Sequence, residues 1–328
     1  MEQLIAGFGA QLREAIELAK GARIQPKQND IRSILLIGMG GSAFGGEIVK
    51  SYIASSCKAP FSIVRDYTIP AWVGPHTLVI VSSYSGNTEE TLAALDQAMK
   101  QGAEIAAITS GGKLLDIVRE HSYNHILVPG GNPPRTAAGY SIVQQLSILH
   151  GYSLIQDFYT DLEEGVVMVE EFDDKEAAQS LAQVISGCIP AIYSSPELEA
   201  ISIRWRQQFA ENSKNLAWHH VLPEMNHNEL VGWVQPKDVM EKVYAIFLER
   251  EQDHPRTRVR AKLTREIIRQ ATRNVCTVPA KGEGLLGQML YLLHYGDWVS
   301  LYLAQENAED PVQIKSIDHL KTELGKLE

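Results

Sequence analysis

The sequence predicts an α/β protein of two related domains, each a parallel sheet covered by helices. Three observations carry that expectation. Apolar runs at residues 33–37, 61–65, 77–82, 104–109 and 124–128 alternate with helical patterns at 43–55, 88–101, 113–121 and 138–150, and helices between successive apolar strands build a parallel sheet buried on both faces. A similar succession follows: strand 189–193, helix 197–214, strand 242–249, helix 256–271, strand 274–279 and a long helix 284–305. With 328 residues the chain suits two domains of ordinary size, expected at 1–150 and 151–328.

Individual elements have local reasons. Residues 1–20 read as an amphipathic helix, with Leu4, Ile5, Phe8, Leu12, Ile16 and Leu18 set among polar positions. Thr77 to Val81 is β-branched and apolar enough for a strand buried on both faces. From Glu89 to Gly102 the spacing of Leu92, Leu95 and Met99 is helical, and Gly102 stands where a C-cap belongs. Residues 151–187 are acidic, largely helical and expected to connect the halves, with Asp174 capping a helix that runs to about Ser186. The segment from Asp310 to Leu327 reads as a terminal helix.

Composition excludes several classes of function. A net charge of −10, from 30 basic and 40 acidic residues, argues against nucleic acid or an anionic membrane as partner, though a single site can still be locally positive. The cysteines Cys57, Cys188 and Cys276 are odd in number and far apart, with no CxxC pair, so neither a disulfide framework nor a zinc cluster is expected. No apolar run follows a basic start as a secretory signal requires, and no stretch approaches the ~20 apolar residues that span a bilayer. A cytoplasmic protein is predicted.

Two turns carry the chemistry. Ser82-Ser83-Tyr84-Ser85-Gly86-Asn87-Thr88 joins a strand to a helix with four small hydroxyl residues, Ser82, Ser83, Ser85 and Thr88, in seven positions. A helix N-terminus presents N–H groups without intrahelical partners, and small hydroxyl residues add donors without crowding an anion. Phosphate binding without a metal is one reading; ordinary helix capping is the other. Gly38-Met39-Gly40-Gly41-Ser42-Ala43 also lies between a strand and a helix, where glycines allow close backbone approach. Gly38, Gly40 and Ala43 satisfy the dinucleotide fingerprint, but Asp66 lies too far along and follows Arg65, so the acidic partner of that motif is missing. No Gly-Lys-Ser/Thr follows either turn, which excludes a Walker A loop. A third turn, Thr109-Ser110-Gly111-Gly112, reads as a simple loop.

Gly-Met-Gly-Gly-Ser (38–42), Ser-Tyr-Ser-Gly-Asn-Thr-Glu-Glu-Thr (83–91), Pro-Pro-Arg-Thr-Ala-Ala-Gly-Tyr (133–140) and Pro-Glu-Met-Asn-His-Asn-Glu (223–229) occur in that order. In this the chain resembles the bifunctional phosphoglucose/phosphomannose isomerases, over roughly Gly38 to Lys321. The resemblance implies two sugar-isomerase (SIS) domains of flavodoxin-like, doubly wound form. It also implies aldose–ketose isomerisation of hexose 6-phosphates through an enediol, by acid–base groups and with no cofactor. Gly41, Ser42, Ser83, Ser85 and Thr88 match the substrate phosphate site. Arg135 matches a cation that stabilises the enediolate, although an arginine in a loop is by pattern a surface residue. Glu211, in Glu-Asn-Ser-Lys, matches the base at C1/C2, a role that calls for partial desolvation. His227 matches a ring-opening histidine that reaches the other subunit's site, hence a homodimer. With His219 and His220 nearby it suits no common metal motif. Lys321 matches a C-terminal lysine that helps ring opening, with Lys326 as the alternative.

Val312-Gln313 departs from the family pattern where a threonine is expected, which bears on the balance between glucose and mannose substrates. Three rivals stand beside the isomerase: a non-catalytic SIS-type sugar-phosphate regulator, a nicotinamide dehydrogenase using Gly38 to Ala43, and an isomerase of another sugar phosphate. The joint presence of Arg135, Glu211 and His227 speaks against the first.

Overall fold

The computed structural model describes residues 1–27 and 30–326. The chain forms two compact units. The first comprises Ala6–Glu171 with Gly282–Leu290, and the second Met1–Ile5, Phe172–Lys281 and the chain from Tyr291 onward.

Helices α1 (Glu2–Ala6) and α2 (Phe8–Gly21) open the chain. Strands β1 (Ser33–Ile37), β2 (Phe61–Val64), β3 (Thr77–Ser82), β4 (Glu104–Thr109) and β5 (Asn124–Leu127) alternate with helices α3 (Gly40–Ile53), α4 (Glu89–Lys100), α5 (Gly112–Glu120) and α6 (Ala138–Gly151). The strands are parallel, in the order β2-β1-β3-β4-β5, which is the flavodoxin-like, doubly wound order. Ile34, Leu36, Leu78 and Ile80 in the central strands are fully buried, as helices on both faces require. Gly102, at φ +71, ends α4 in the left-handed conformation open to glycine.

Helices α7 (Tyr159–Glu170) and α8 (Lys175–Ile185) follow. The second sheet contains β6 (Ile189–Ser194), β7 (Trp218–Val221), β8 (Val243–Glu249) and β9 (Val275–Pro279), parallel, in the order β7-β6-β8-β9. Around them run α9 (Glu199–Glu211), the short α10 (Lys237–Met240), α11 (Pro255–Ile268) and α12 (Leu285–Glu306), and α13 (Lys315–Leu324) closes the chain. This is the order of the first sheet shortened by one strand. The two parallel-sheet α/β units match the predicted fold class. All three cysteines are free thiols, and burial pushes Cys276 up to about 12. Among the described residues no helix is long and apolar enough to cross a membrane.

Several expectations need correction. The helix predicted over 197–214 ends at Glu211, because the chain turns away through Lys214 at φ +53. The terminal helix begins at Lys315 rather than Asp310 and ends at Leu324; its expected end at Leu327 lies outside the described residues. Asp174 precedes α8, but no side-chain bond caps that helix. Its carboxylate accepts instead from Lys281 Nζ at 2.5 Å and Tyr291 OH at 2.7 Å. Strand β7 carried no sequence signal strong enough to predict it.

Candidate functional site

In a doubly wound sheet the crevice opens where the strand order reverses, at the carboxyl ends of the strands. In the first unit that point lies between β1 and β3, and the two motif turns follow these strands.

The turn after β1 is shaped by close backbone approach. A Cβ on Gly38 would stand 2.9 Å from the Ser82 carbonyl, and one on Gly41 would stand 2.8 Å from the Pro134 carbonyl and 3.4 Å from Arg135 Cα. The glycines therefore let the start of α3 sit directly against the end of β3 and against the 3-10 turn Pro134–Thr136. Ser42, in the first turn of α3, is held through its carbonyl, which accepts from Ser141 Oγ at 3.2 Å and Gln145 Nε2 at 3.5 Å. Gly41, Ser42, Tyr84, Pro134 and Tyr140 line one cavity, so the two turns and the Pro134 turn meet.

The turn after β3 leaves its helix end open. Thr88 is the N-cap of α4, yet its side chain makes no capping bond; its hydroxyl accepts instead from the buried Ser83 hydroxyl at 3.1 Å. The first N–H groups of α4 thus keep the orientation and partial positive charge that suit an anion. Ser85 is exposed, its Oγ accepting from Asn87 N at 3.3 Å. The turn is braced by Thr109–Gly112, which is more than a simple loop. Ser110 donates to the Tyr84 carbonyl through N at 3.0 Å and Oγ at 2.6 Å, and Lys113 N donates to Asn87 Oδ1 at 3.0 Å. Gly86, at φ +69, leaves 1.8 Å between a hypothetical Cβ and the Gly111 carbonyl, so only glycine fits.

Arg135 follows directly from the approach of Gly41 to Pro134. It is 4% exposed, unlike the surface arginine that its loop position suggests. A buried cation whose backbone packs against the first turn of α3 is suited to offset charge that develops during a reaction.

The first unit thus carries Gly41, Ser42, Ser83, Ser85, Thr88 and Arg135 on three turns, and of these Gly41 and Ser42 line the cavity, with Tyr84 and Pro134. Glu211, His227 and Lys321 belong to the second unit, on three separate elements. Glu211 is the last residue of α9 and half-buried; Lys214 Nζ donates to its backbone carbonyl at 2.9 Å. His227 ends the 3-10 turn Glu224–His227 and is exposed, while the residues around it are anchored. Met225 is fully buried, Asn226 Nδ2 donates to Thr264 Oγ1 at 2.8 Å, and Asn228 Nδ2 donates to Glu224 Oε1 at 2.7 Å. Glu229 accepts from Tyr193 OH and from Trp218 Nε1 and faces His220. A motif pinned on both sides of one exposed imidazole presents that imidazole outward. Lys321 is exposed on α13, and Lys326 pairs with Glu323 at 2.7 Å. Among the described residues no group of three His, Cys, Asp or Glu is placed to hold a metal ion.

The second unit has an equivalent switch point between β6 and β8, and there a side chain fills it. Asp253, 6% exposed, accepts from Ser195 Oγ at 2.8 Å and from Arg250 N at 3.1 Å, with the Arg250 guanidinium 3.8 Å away. Burial holds this carboxyl above the usual carboxylate range. The next helix is already capped, His254 Nδ1 accepting from Arg256 N at 3.1 Å. An internal carboxyl group thus stands where the first unit has a helix N-terminus without a side-chain cap.

Comparison with known proteins bears on the family of the two domains. A SIS domain family matches residues 29–152, and the bacterial phospho-glucose isomerase C-terminal SIS domain family matches residues 174–324. The bifunctional phosphoglucose/phosphomannose isomerase of Caldicellulosiruptor bescii is 37% identical over 337 residues, covering 100% of this chain and 99% of that protein. The protein of the same name from Aquifex aeolicus is 36% identical, covering 90% of this chain and 91% of its own length. Among solved structures, a hypothetical protein of Thermus thermophilus superimposes with a TM-score of 0.78 at 16% identity, covering 98% of this chain and 90% of that one. That last likeness concerns the fold.

Proposed function

Because the chain belongs to the bifunctional phosphoglucose/phosphomannose isomerase family, we propose that it interconverts glucose 6-phosphate and mannose 6-phosphate with fructose 6-phosphate. The observation that carries this reading is the meeting of the two hydroxyl-bearing turns and the Pro134 turn around one cavity of the first unit, with Arg135 buried in the last of these turns.

The substrate phosphate rests on Ser42, Ser83, Ser85 and Thr88 and on the backbone at Gly41. The filled switch point of the second unit supports one phosphate site per chain. With the sugar ring opened, Glu211 removes the proton from C2 of an aldose or C1 of the ketose. The electron pair moves into a C1–C2 double bond and the carbonyl oxygen becomes an enediolate oxygen, whose charge Arg135 offsets. The proton of the neighbouring hydroxyl passes to the former carbonyl oxygen, and returning the carbon-bound proton to the other carbon leaves the carbonyl there, completing the isomerisation without net oxidation and without an added co-reactant. His227 and Lys321 assist ring opening, His227 in the active site of the other subunit of a homodimer. The same reading divides the chain into an N-terminal phosphate-binding half and a C-terminal half carrying Glu211, and places the enzyme in the cytoplasm.

Glu211→Gln tests the base. The variant keeps fructose 6-phosphate binding and loses about 10²- to 10⁴-fold in turnover, the usual contribution of a general base. Wild-type turnover in this variant would show that another group moves the proton.

A further inference from the structure

The second unit contains a chain of buried polar groups that the reaction does not use directly. Asn212, Ser213 and Ser300 are all fully buried. Asn212 Nδ2 donates to Ser300 Oγ at 2.9 Å, Ser213 Oγ donates to the Ser300 carbonyl at 2.7 Å, and Ser300 Oγ donates to the Asp297 carbonyl at 2.8 Å. Farther back along α9, the Asp297 carboxylate accepts from Arg204 Nε at 3.2 Å, Arg204 Nη2 at 3.0 Å and Gln208 Nε2 at 2.8 Å. Positions 204, 208 and 212 recur at i, i+4 and i+8 and so share one face of the chain through α9, while 297 and 300 share one face of α12. A polar seam joins the two helices and takes in the two residues beyond Glu211.

We propose that this seam is a latch that positions Glu211, with Asn212 and Ser300 as its terminal link. The inference rests on the reading of Glu211 as the base. A helix C-terminus is where hydrogen bonding within the helix runs out, which is a poor place for a group that must meet a carbon-bound proton. Here the two residues after Glu211 are tied to the middle of a long helix whose neighbouring positions, Trp298, Val299 and Leu301, are buried. Stability alone does not account for the seam, since a buried ion pair adds little over well-packed apolar side chains. What directional bonds add is a fixed axial and rotational setting of α9 against α12.

Ser300→Ala removes the hydroxyl that receives Asn212 and little volume. Its expected effect is a loss of about 10- to 100-fold in kcat, the scale of a 1 Å misplacement of a reacting group. KM for fructose 6-phosphate stays within about twofold, because the phosphate-binding turns are untouched. Kinetics are read well below the melting temperature, so that lost stability alone leaves kcat unchanged. Should Ser300→Ala not fold, Asn212→Ala removes the same hydrogen bond from its other end and carries the same expectation. The deciding measurement places Ser300→Ala in the Glu211→Gln background. If the latch acts through Glu211, the double variant turns over no more slowly than Glu211→Gln alone. Multiplicative loss in the double variant overturns the latch, as does wild-type kcat in Ser300→Ala. Full turnover in Glu211→Gln overturns the base assignment and the latch together, whereas lost turnover there with an unaffected Ser300→Ala overturns the latch alone.

Discussion

Gly86→Ala puts the shape of the phosphate turn to a direct test. Gly86 adopts φ +69, and a Cβ there would stand 1.8 Å from the Gly111 carbonyl. An L-residue in the left-handed region costs about 1–2 kcal/mol, and forcing extra volume into a packed site costs about 1–3 kcal/mol. Together these give about 3 kcal/mol. At about 2–4 °C per kcal/mol for domains of this size, Tm of the first unit falls by about 6–12 °C. To reach ordinary contact at 3.4 Å, the Gly111 carbonyl and the Ser83–Thr88 turn must separate by about 1.5 Å, which disturbs the bonds from Ser110 and Lys113 that brace that turn. Losing one charge-assisted hydrogen bond to phosphate weakens binding by about 1.5–3 kcal/mol, so KM for fructose 6-phosphate rises about tenfold or more. Differential scanning fluorimetry reads the first effect and steady-state kinetics the second. A variant with wild-type Tm and wild-type KM would refute both the packing argument and the placement of phosphate on this turn.

Arg135→Lys keeps the buried charge but loses the planar fork; kcat falls about 10²-fold with KM changed far less, and a raised KM with unchanged kcat would instead assign Arg135 to ground-state binding. His294 is buried and its Nε2 accepts from Trp298 Nε1 at 3.0 Å; burial lowers its pKa from 6.5 to about 4. Because the folded state takes up this proton less readily than the unfolded chain, stability present above pH ~6.5 is lost as pH falls towards 4, by up to about 3 kcal/mol. Chemical denaturation across that range should show a flatter acid limb in His294→Gln, and identical profiles would remove His294 as the cause.

The first sheet was legible because its strands are apolar runs separated by helical periodicity, and the turns after 33–37 and 77–82 announced themselves by composition. Strand β7 was not, for a physical reason. It is four residues long, pairs with β6 alone, and each residue is half-buried, so Trp218-His219-His220-Val221 offers neither an apolar run nor an alternation. The burial of Arg135 was also out of reach, since it depends on the approach of Gly41 to Pro134, more than ninety positions apart. Pattern alone makes Glu211 an ordinary helical carboxylate, and its matched role came from the resemblance. Its tie to α12 runs through Asn212 and Ser300, a separation of 88 residues that no local signal marks. Asp174 shows the converse: a residue well chosen for a cap is drawn to Lys281 and Tyr291 by partners that only the fold brings near.

Incubation with fructose 6-phosphate in D₂O, followed by NMR, tests the isomerase reading most directly. Proton transfer through an enediol at a site tolerant of both epimers yields glucose 6-phosphate and mannose 6-phosphate, each carrying deuterium at C2. Saturable binding of fructose 6-phosphate with no product would contradict catalysis and leave a sugar-phosphate-binding protein.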